Sequence, residues 1–320
     1  MNPDAKVSFD RQYQALRDEC GLVELADWSS VTLTGRDRHA FLHNFCTNDV
    51  KFLTPGTGCE AFFTNVKGKI IGHGLVTCRA DELVIVGAPG QGEALAAHLD
   101  RYVIREDVAV RDTAVERCYL LLAGGDKARE SAESVGVFQT AADRPDQPGH
   151  WIEWPLLNTD FCGLVEIAGD AAPVRETLVE RGAVLCDQAA FEALRIESGM
   201  PLYGTDFDDS NLPQEVGRND EAISFTKGCY LGQETVARID ALGHVNQQLV
   251  GVRFEGHSVP EFGAELSAAG KSVGRITSAT MSPQLGRPLA LAMVRRPHNE
   301  TGSRLESPVG PCEVLALPVS

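Results

Sequence analysis

The C-terminal part of the chain constrains its architecture most. From Gln247 onward, short β-branched and apolar runs (residues 249–254, 272–278, 289–294 and 313–317) are separated by Gly and Pro turns, with no helix-period segment between them. Strands of that length and spacing bury their apolar faces only against one another, which predicts a small, separate β-barrel or sandwich. Upstream the texture is mixed, with helix-period and strand-like runs alternating. A chain of 320 residues has room for about two or three domains.

In the mixed part, residues 31–34 read as a strand closed by Gly35, and Asp37 stands where a helix cap is needed before Phe41, Leu42 and Phe45. Residues 60–66 and 69–76 form a hairpin turning at Lys67-Gly68, residues 83–86 a buried strand, and 93–103 a helix. A second unit starts near Arg117: strand 118–123, helix 126–135, strands 151–157 and 162–167, helix 173–181, strand 183–186. That β-α-β-β-α-β order is ferredoxin-like, and the first hundred residues follow a comparable one. The polar segment 139–149 reads as a surface excursion. The expected fold class is α+β: a first lobe from residues 1–116 and 187–246, a second from 117–186, and a barrel from 247–320.

The balance of 29 Lys and Arg against 45 Asp and Glu leaves a net charge of −16. So acidic a chain lacks the basic footprint of a general nucleic-acid binder, although a local basic pocket for a small anion is compatible with it. No apolar run approaches the ~18 residues of a membrane span, and Met1 to Cys20 lacks a signal-peptide layout; the expected location is cytoplasmic. The nine cysteines form no C-x-x-C pair, which argues against a disulfide framework, a zinc ribbon or a resident iron–sulfur cluster. His39 and His43 stand four apart without a third ligand and read as helix-surface residues, so no metal site is expected.

Two stretches carry chemistry. In Lys227-Gly-Cys-Tyr-Leu-Gly-Gln-Glu-Thr-Val-Ala-Arg238, two glycines frame a Cys-Tyr pair before a helix-favouring run. Cys229 then lies between Lys227 and a helix start, both of which favour thiolate; the competing reading is a packed cysteine in a tight turn. The second is Glu197. Asp187 caps a helix that Gly199 stops, and the 3.6-residue period puts Glu197 on the apolar side with Ala190, Ala193 and Leu194. An inward carboxylate needs strong partners. It is either a ligand carboxylate, suited to the amino-pyrimidinone edge of a pterin, or half of an ion pair.

Several stretches together resemble one family: Gly21-Leu-Val-Glu-Leu25, Val31-Thr-Leu-Thr-Gly-Arg-Asp37 with Phe41-Leu42, Thr47-Asn-Asp-Val50, Pro55-Gly56, Asn65-Val-Lys-Gly-Lys69, Leu194-Arg-Ile-Glu-Ser-Gly199 with Pro201-Leu-Tyr-Gly204, and Lys227 to Arg238. The pattern resembles the folate-binding superfamily of the glycine-cleavage T-protein (aminomethyltransferase). Its Lys-Gly-Cys-Tyr-x-Gly-Gln-Glu signature resembles the YgfZ branch. The resemblance implies two interleaved lobes and a barrel in a cloverleaf around a central channel for tetrahydrofolate. It implies Glu197 as the pterin ligand, with Arg238 and Asn65 as further folate contacts. T-proteins carry an Asp-Asp pair after the glycine hairpin, one member of which works on the aminomethyl group. Here those positions are Gly72 and His73, the latter read as a strand-edge residue, which disfavours glycine cleavage itself. The implied function is a folate-binding accessory factor for iron–sulfur cluster assembly or repair, indirectly affecting tRNA modification, with Cys229 as working thiol, Lys227 as its activator, and iron–sulfur client or assembly proteins as partners. The alternatives are a folate-dependent one-carbon transferase and a binding module with a vestigial channel.

Overall fold

A computed structural model describes residues 7–134 and 149–319; most of the polar excursion 139–149 lies outside them. The chain begins with α1 (Phe9–Asp18), β1 (Cys20–Leu25), β2 (Ser29–Thr34), α2 (Arg38–His43), β3 (Gly58–Thr64), β4 (Ile70–Cys78), β5 (Glu82–Gly87), α3 (Gly92–Asp100) and β6 (Ala109–Asp112). It continues through β7 (Arg117–Gly124), α4 (Asp126–Ser134), β8 (His150–Glu153), β9 (Phe161–Ala168), α5 (Ala172–Glu180) and β10 (Val184–Cys186). Helices α6 (Gln188–Ser198), α7 (Pro213–Val216), α8 (Asn219–Ala222) and α9 (Gln233–Leu242) lead to strands β11 (Gln247–Phe254), β12 (Glu265–Ala268), β13 (Lys271–Ser282), β14 (Arg287–Arg295), β15 (Arg304–Ser307) and β16 (Gly310–Leu315).

The first sheet has the order β3-β4-β5-β2-β6 and is antiparallel throughout. The second has the order β10-β1-β7-β9-β8. The last six strands close into a barrel, β11-β14-β13-β12-β15-β16, as the loss of helical period after Gln247 predicts. The fold class is thus α+β with a C-terminal barrel. One boundary differs from the expectation. Strand β1, placed by sequence in the first lobe, pairs antiparallel with β7 and parallel with β10 inside the second sheet. It is buried on both faces except at Glu24, so a central position is the only one that covers its apolar side chains. The chain crosses between lobes at Trp28, whose ring meets Trp154 edge-on at 5.9 Å. Side chains of both sheets, among them Leu75, Val84, Tyr119 and Leu164, then share one core with α1 and α6.

Helix α6 starts and stops as its sequence directs. The Asp187 carboxylate accepts from the Ala190 N–H at 3.2 Å, and Gly199 ends the helix at φ 72°, a backbone state favourable to glycine. Its buried side packs on α1 and on barrel strand β13, which makes it the joint between the α+β lobes and the barrel.

Candidate functional site

Glu197 is turned inward and 2% exposed. Both carboxylate oxygens are met by protein. Tyr13 Oη donates to Oε2 at 2.6 Å, and Ser282 Oγ and the Gln284 N–H (3.2 Å) donate to Oε1. Burial, then the bond to Glu197, pushes the Tyr13 hydroxyl above its usual range. These donors come from α1 and from the barrel, so the carboxylate staples α6 to both. The expected parallel pair of bonds to a pterin is not what this geometry offers, and the three donors are hydroxyls and an amide rather than an ion-pair partner.

Two residues earlier, Arg195 is wholly buried. All five of its N–H donors have acceptors: Glu192 takes two, and the Met200 carbonyl, Asp206 and Ser278 take one each, at 2.6–2.9 Å. Asp206 in turn accepts from Thr277, Ser278 and the Leu202 N–H. Sequence accounts for Glu192 as an ordinary surface partner of Arg195; the arginine itself is carried into the joint with β13.

The turn before α9 corrects a second expectation. Lys227 and Tyr230 point inward and are buried, whereas Gly228 and Cys229 are exposed. Lys227 Nζ donates to the carbonyls of His43, Cys46 and Asn48 at 2.6, 2.7 and 2.8 Å and lies 5.0 Å from the Tyr230 ring centre. Burial lowers the pKa of this ammonium, against the opposing pull of Cys46 and Asp49. An ammonium has three N–H groups, and each has a carbonyl here. Lys227 is therefore a peg that ties the turn to the end of α2, not the activator of Cys229. Two further bonds hold the same seam: the Leu231 N–H to the Asn44 carbonyl, and Thr64 Oγ1 to the Leu231 carbonyl. A β-carbon at Gly232 would sit 2.5 Å from the Asn65 carbonyl oxygen, so that close approach requires glycine.

The other expected folate contacts do not gather. Asn65 Oδ1 accepts from the Lys67 and Lys69 N–H groups at 2.9 and 3.2 Å, bracing its own hairpin turn. Arg238 lies exposed on α9. His43, expected on a helix surface, is buried instead.

The buried polar groups that do converge surround Glu60 on β3. Arg218 holds its carboxylate from two nitrogens at 2.9 and 2.7 Å, His73 Nε2 approaches at 2.8 Å, and Trp154 Nε1 at 3.1 Å. Burial would push Glu60 up, but the Arg218 and His73 bonds outweigh it and hold the carboxyl well below the usual range. His73 is not at a strand edge. It sits on β4, between β3 and β5, with its backbone N–H on Gln91 Oε1 and its ring against Phe62 and Phe207. Arg218 also lines a cavity of about 360 Å³ whose wall includes Gly199, Glu221, Gln248, Asn299 and Thr301. The Glu221 carboxylate stands 3.7 Å from Arg218 and is half-exposed. Among the described residues, no cluster of three or more His, Cys, Asp or Glu side chains is arranged to hold a metal, and no helix is long and apolar enough to cross a membrane.

Residues 3–143 match the GCVT N-terminal domain and residues 247–319 the glycine cleavage T-protein C-terminal barrel domain. The chain belongs to the glycine cleavage T-protein superfamily. An aminomethyltransferase of Nostoc sp. is 26% identical over 92% of this chain and 82% of its own length. A putative chloroplastic transferase of Arabidopsis thaliana is 26% identical over 85% of this chain and 65% of its own length. The crystal structure of the glycine cleavage system aminomethyltransferase T from Bartonella henselae superposes with a TM-score of 0.85 at 19% identity, covering 98% of this chain and 90% of that one.

The position that the sequence resemblance matches to a T-protein carboxylate, His73, carries an imidazole backed by Glu60. Sequence reasoning missed Glu60, Arg218 and Trp154. The alternation along β3 marks Glu60 as facing the same way as Phe62, but its arginine lies 158 residues away, beyond any local signal.

Proposed function

We propose that this T-protein relative binds a reduced folate in the cavity beside Arg218 and serves one-carbon transfer from a donor other than the aminomethyl group of glycine cleavage. The cavity is the observation that carries the reading. Its volume of about 360 Å³ falls within the ~300–1,000 Å³ typical of small-molecule sites, and its wall supplies what a pterin needs. The Glu221 carboxylate can accept from the amino-pyrimidinone edge, the Gln248 and Asn299 amides can pair with ring and amide groups, and Arg218 is fixed in place by Glu60. The bound folate would supply the nitrogen that takes up the carbon unit. The chain's own part is to bind and orient it, with Glu60 fixing Arg218 from behind. The aminomethyltransferase names of the relatives support the transferase class.

Calorimetric titration with tetrahydrofolate tests the site. Glu221→Gln is expected to weaken binding about tenfold or more, because an acceptor becomes an NH₂ facing a donor edge. Glu197→Gln, if folded, is expected to leave the affinity within about threefold. A large loss in Glu197→Gln with none in Glu221→Gln would move the pterin to α6. Failure of the wild type to bind would remove folate from the reading.

The exposure of Cys229 favours a second reading: a YgfZ-type accessory factor for iron–sulfur cluster assembly or repair, with client proteins as partners. Cys229→Ser would then keep folate binding yet lose support of cluster enzymes in cells, whereas a transferase of small donors would keep its turnover.

A further inference from the structure

A thiol and an imidazole come together where the end of β4 meets α2. Cys78 Sγ lies 3.7 Å from His39 Nε2, and His39 Nδ1 lies 3.2 Å from the Val50 carbonyl oxygen. A carbonyl only accepts, so the ring proton sits on Nδ1 and the lone pair of Nε2 is left for the sulfur. A nucleophile, a base within reach of it and a third group that orients the base are thus all present. The Arg79 carbonyl also lies 3.5 Å from Sγ, but an amide oxygen is too weak a base to carry the proton away. Cys78 is 3% exposed and is bonded through its backbone to the largely exposed loop 51–57, by the Gly56 N–H and the Thr57 carbonyl. His39 is half-buried. Such a sulfur is closed to a disulfide or a peptide and open only to a reagent near the size of water.

We propose that Cys78 and His39 form an oxidation site for hydrogen peroxide, with His39 as the general base. The Cys78 Sγ–H proton passes to His39 Nε2 as the sulfur attacks one peroxide oxygen. The O–O bond breaks, and the departing hydroxide takes the proton from the imidazolium and leaves as water. Sulfur gives up two electrons and becomes the sulfenic acid, while the peroxide is reduced. Burial pushes the Cys78 thiol up, against the pull of Arg38. Little thiolate is therefore present beforehand, and a base within reach decides the rate. Neither residue lines the cavity beside Arg218, so the site stands whether or not a folate binds there.

The intact protein carries its own control in Cys20. That thiol is also 3% exposed and raised by burial, but its Sγ meets the Ser131 hydroxyl at 3.5 Å instead of an imidazole. The protein is treated with hydrogen peroxide at pH 7 and the reaction is stopped with catalase. The chain is then unfolded in dimedone, and peptide mass spectrometry reads the sulfenic acid at each cysteine. Cys78 is expected to oxidise about tenfold or more faster than Cys20, a conservative share of the ~10²–10⁴ that a positioned base contributes. His39→Gln should bring Cys78 to within about twofold of Cys20 and leave Cys20 unchanged. The wild-type comparison needs no variant, and equal rates at Cys78 and Cys20 there overturn the proposal. So does a Cys78 rate that persists in His39→Gln.

Discussion

Helix α6 and the Cys229 turn both present charged side chains to the interior, and they differ in what is left over. On α6, the five donors of Arg195 and both oxygens of Glu197 have protein partners. At the turn, Lys227 is just as complete, but the neighbouring Cys229 thiol is left exposed. Burial of a charge is thus weak evidence for a ligand. A buried charge whose every lone pair or proton is used is a fastening; a polar group held in place with a free edge is a candidate for chemistry.

The largest expected effect breaks the α6 side of this contrast. Asp206→Ala leaves the Arg195 guanidinium buried without its wholly buried carboxylate and should cost about 3–5 kcal/mol, read as a lowered urea midpoint at unchanged slope. A loss under about 1 kcal/mol would mean that Glu192 alone satisfies the arginine.

How much of this was legible follows the range of the signals. The cap and stop of α6, the β3–β4 hairpin and the barrel strands β11, β13, β14 and β16 are written in residues a few positions apart. Helix α1 leaves little trace in the sequence, because only Gln12, Tyr13, Ala15 and Leu16 of it are buried within a polar segment. The short strands β12 and β15 carry too few apolar residues to stand out. The partner of β1 is a matter of tertiary pairing, which periodicity does not encode. At the site, Glu197 was placed inward correctly by helical period, but what meets it comes from residues 13, 282 and 284. The inward course of Lys227 onto three carbonyls, in place of the expected role beside Cys229, has no sequence signal, because a glycine turn has no period to aim a side chain.

Lys227→Met sharpens the other side of the comparison. It strips three carbonyls of their donor, and a cost of about 2–3 kcal/mol is expected in the same urea experiment. A loss under about 0.5 kcal/mol would mean that the three carbonyls do not need the ammonium, and the peg assignment fails.

The smallest effect, Tyr13→Phe, asks whether the Glu197 staple is worth what its geometry implies. The change removes one hydrogen bond to a buried carboxylate and keeps the ring, so about 1–2 kcal/mol is expected near neutral pH. It also carries a pH signature. A hydroxyl whose folded pKa is raised contributes stability fully below the unfolded value of 10.0, and that contribution is lost as pH rises through the folded value above it. The wild type should therefore lose stability above about pH 10 faster than Tyr13→Phe, other alkaline losses being common to both. Parallel curves would mean that the Tyr13 hydroxyl is free to ionise in the folded protein, and that α1 is not fastened to α6 through this bond.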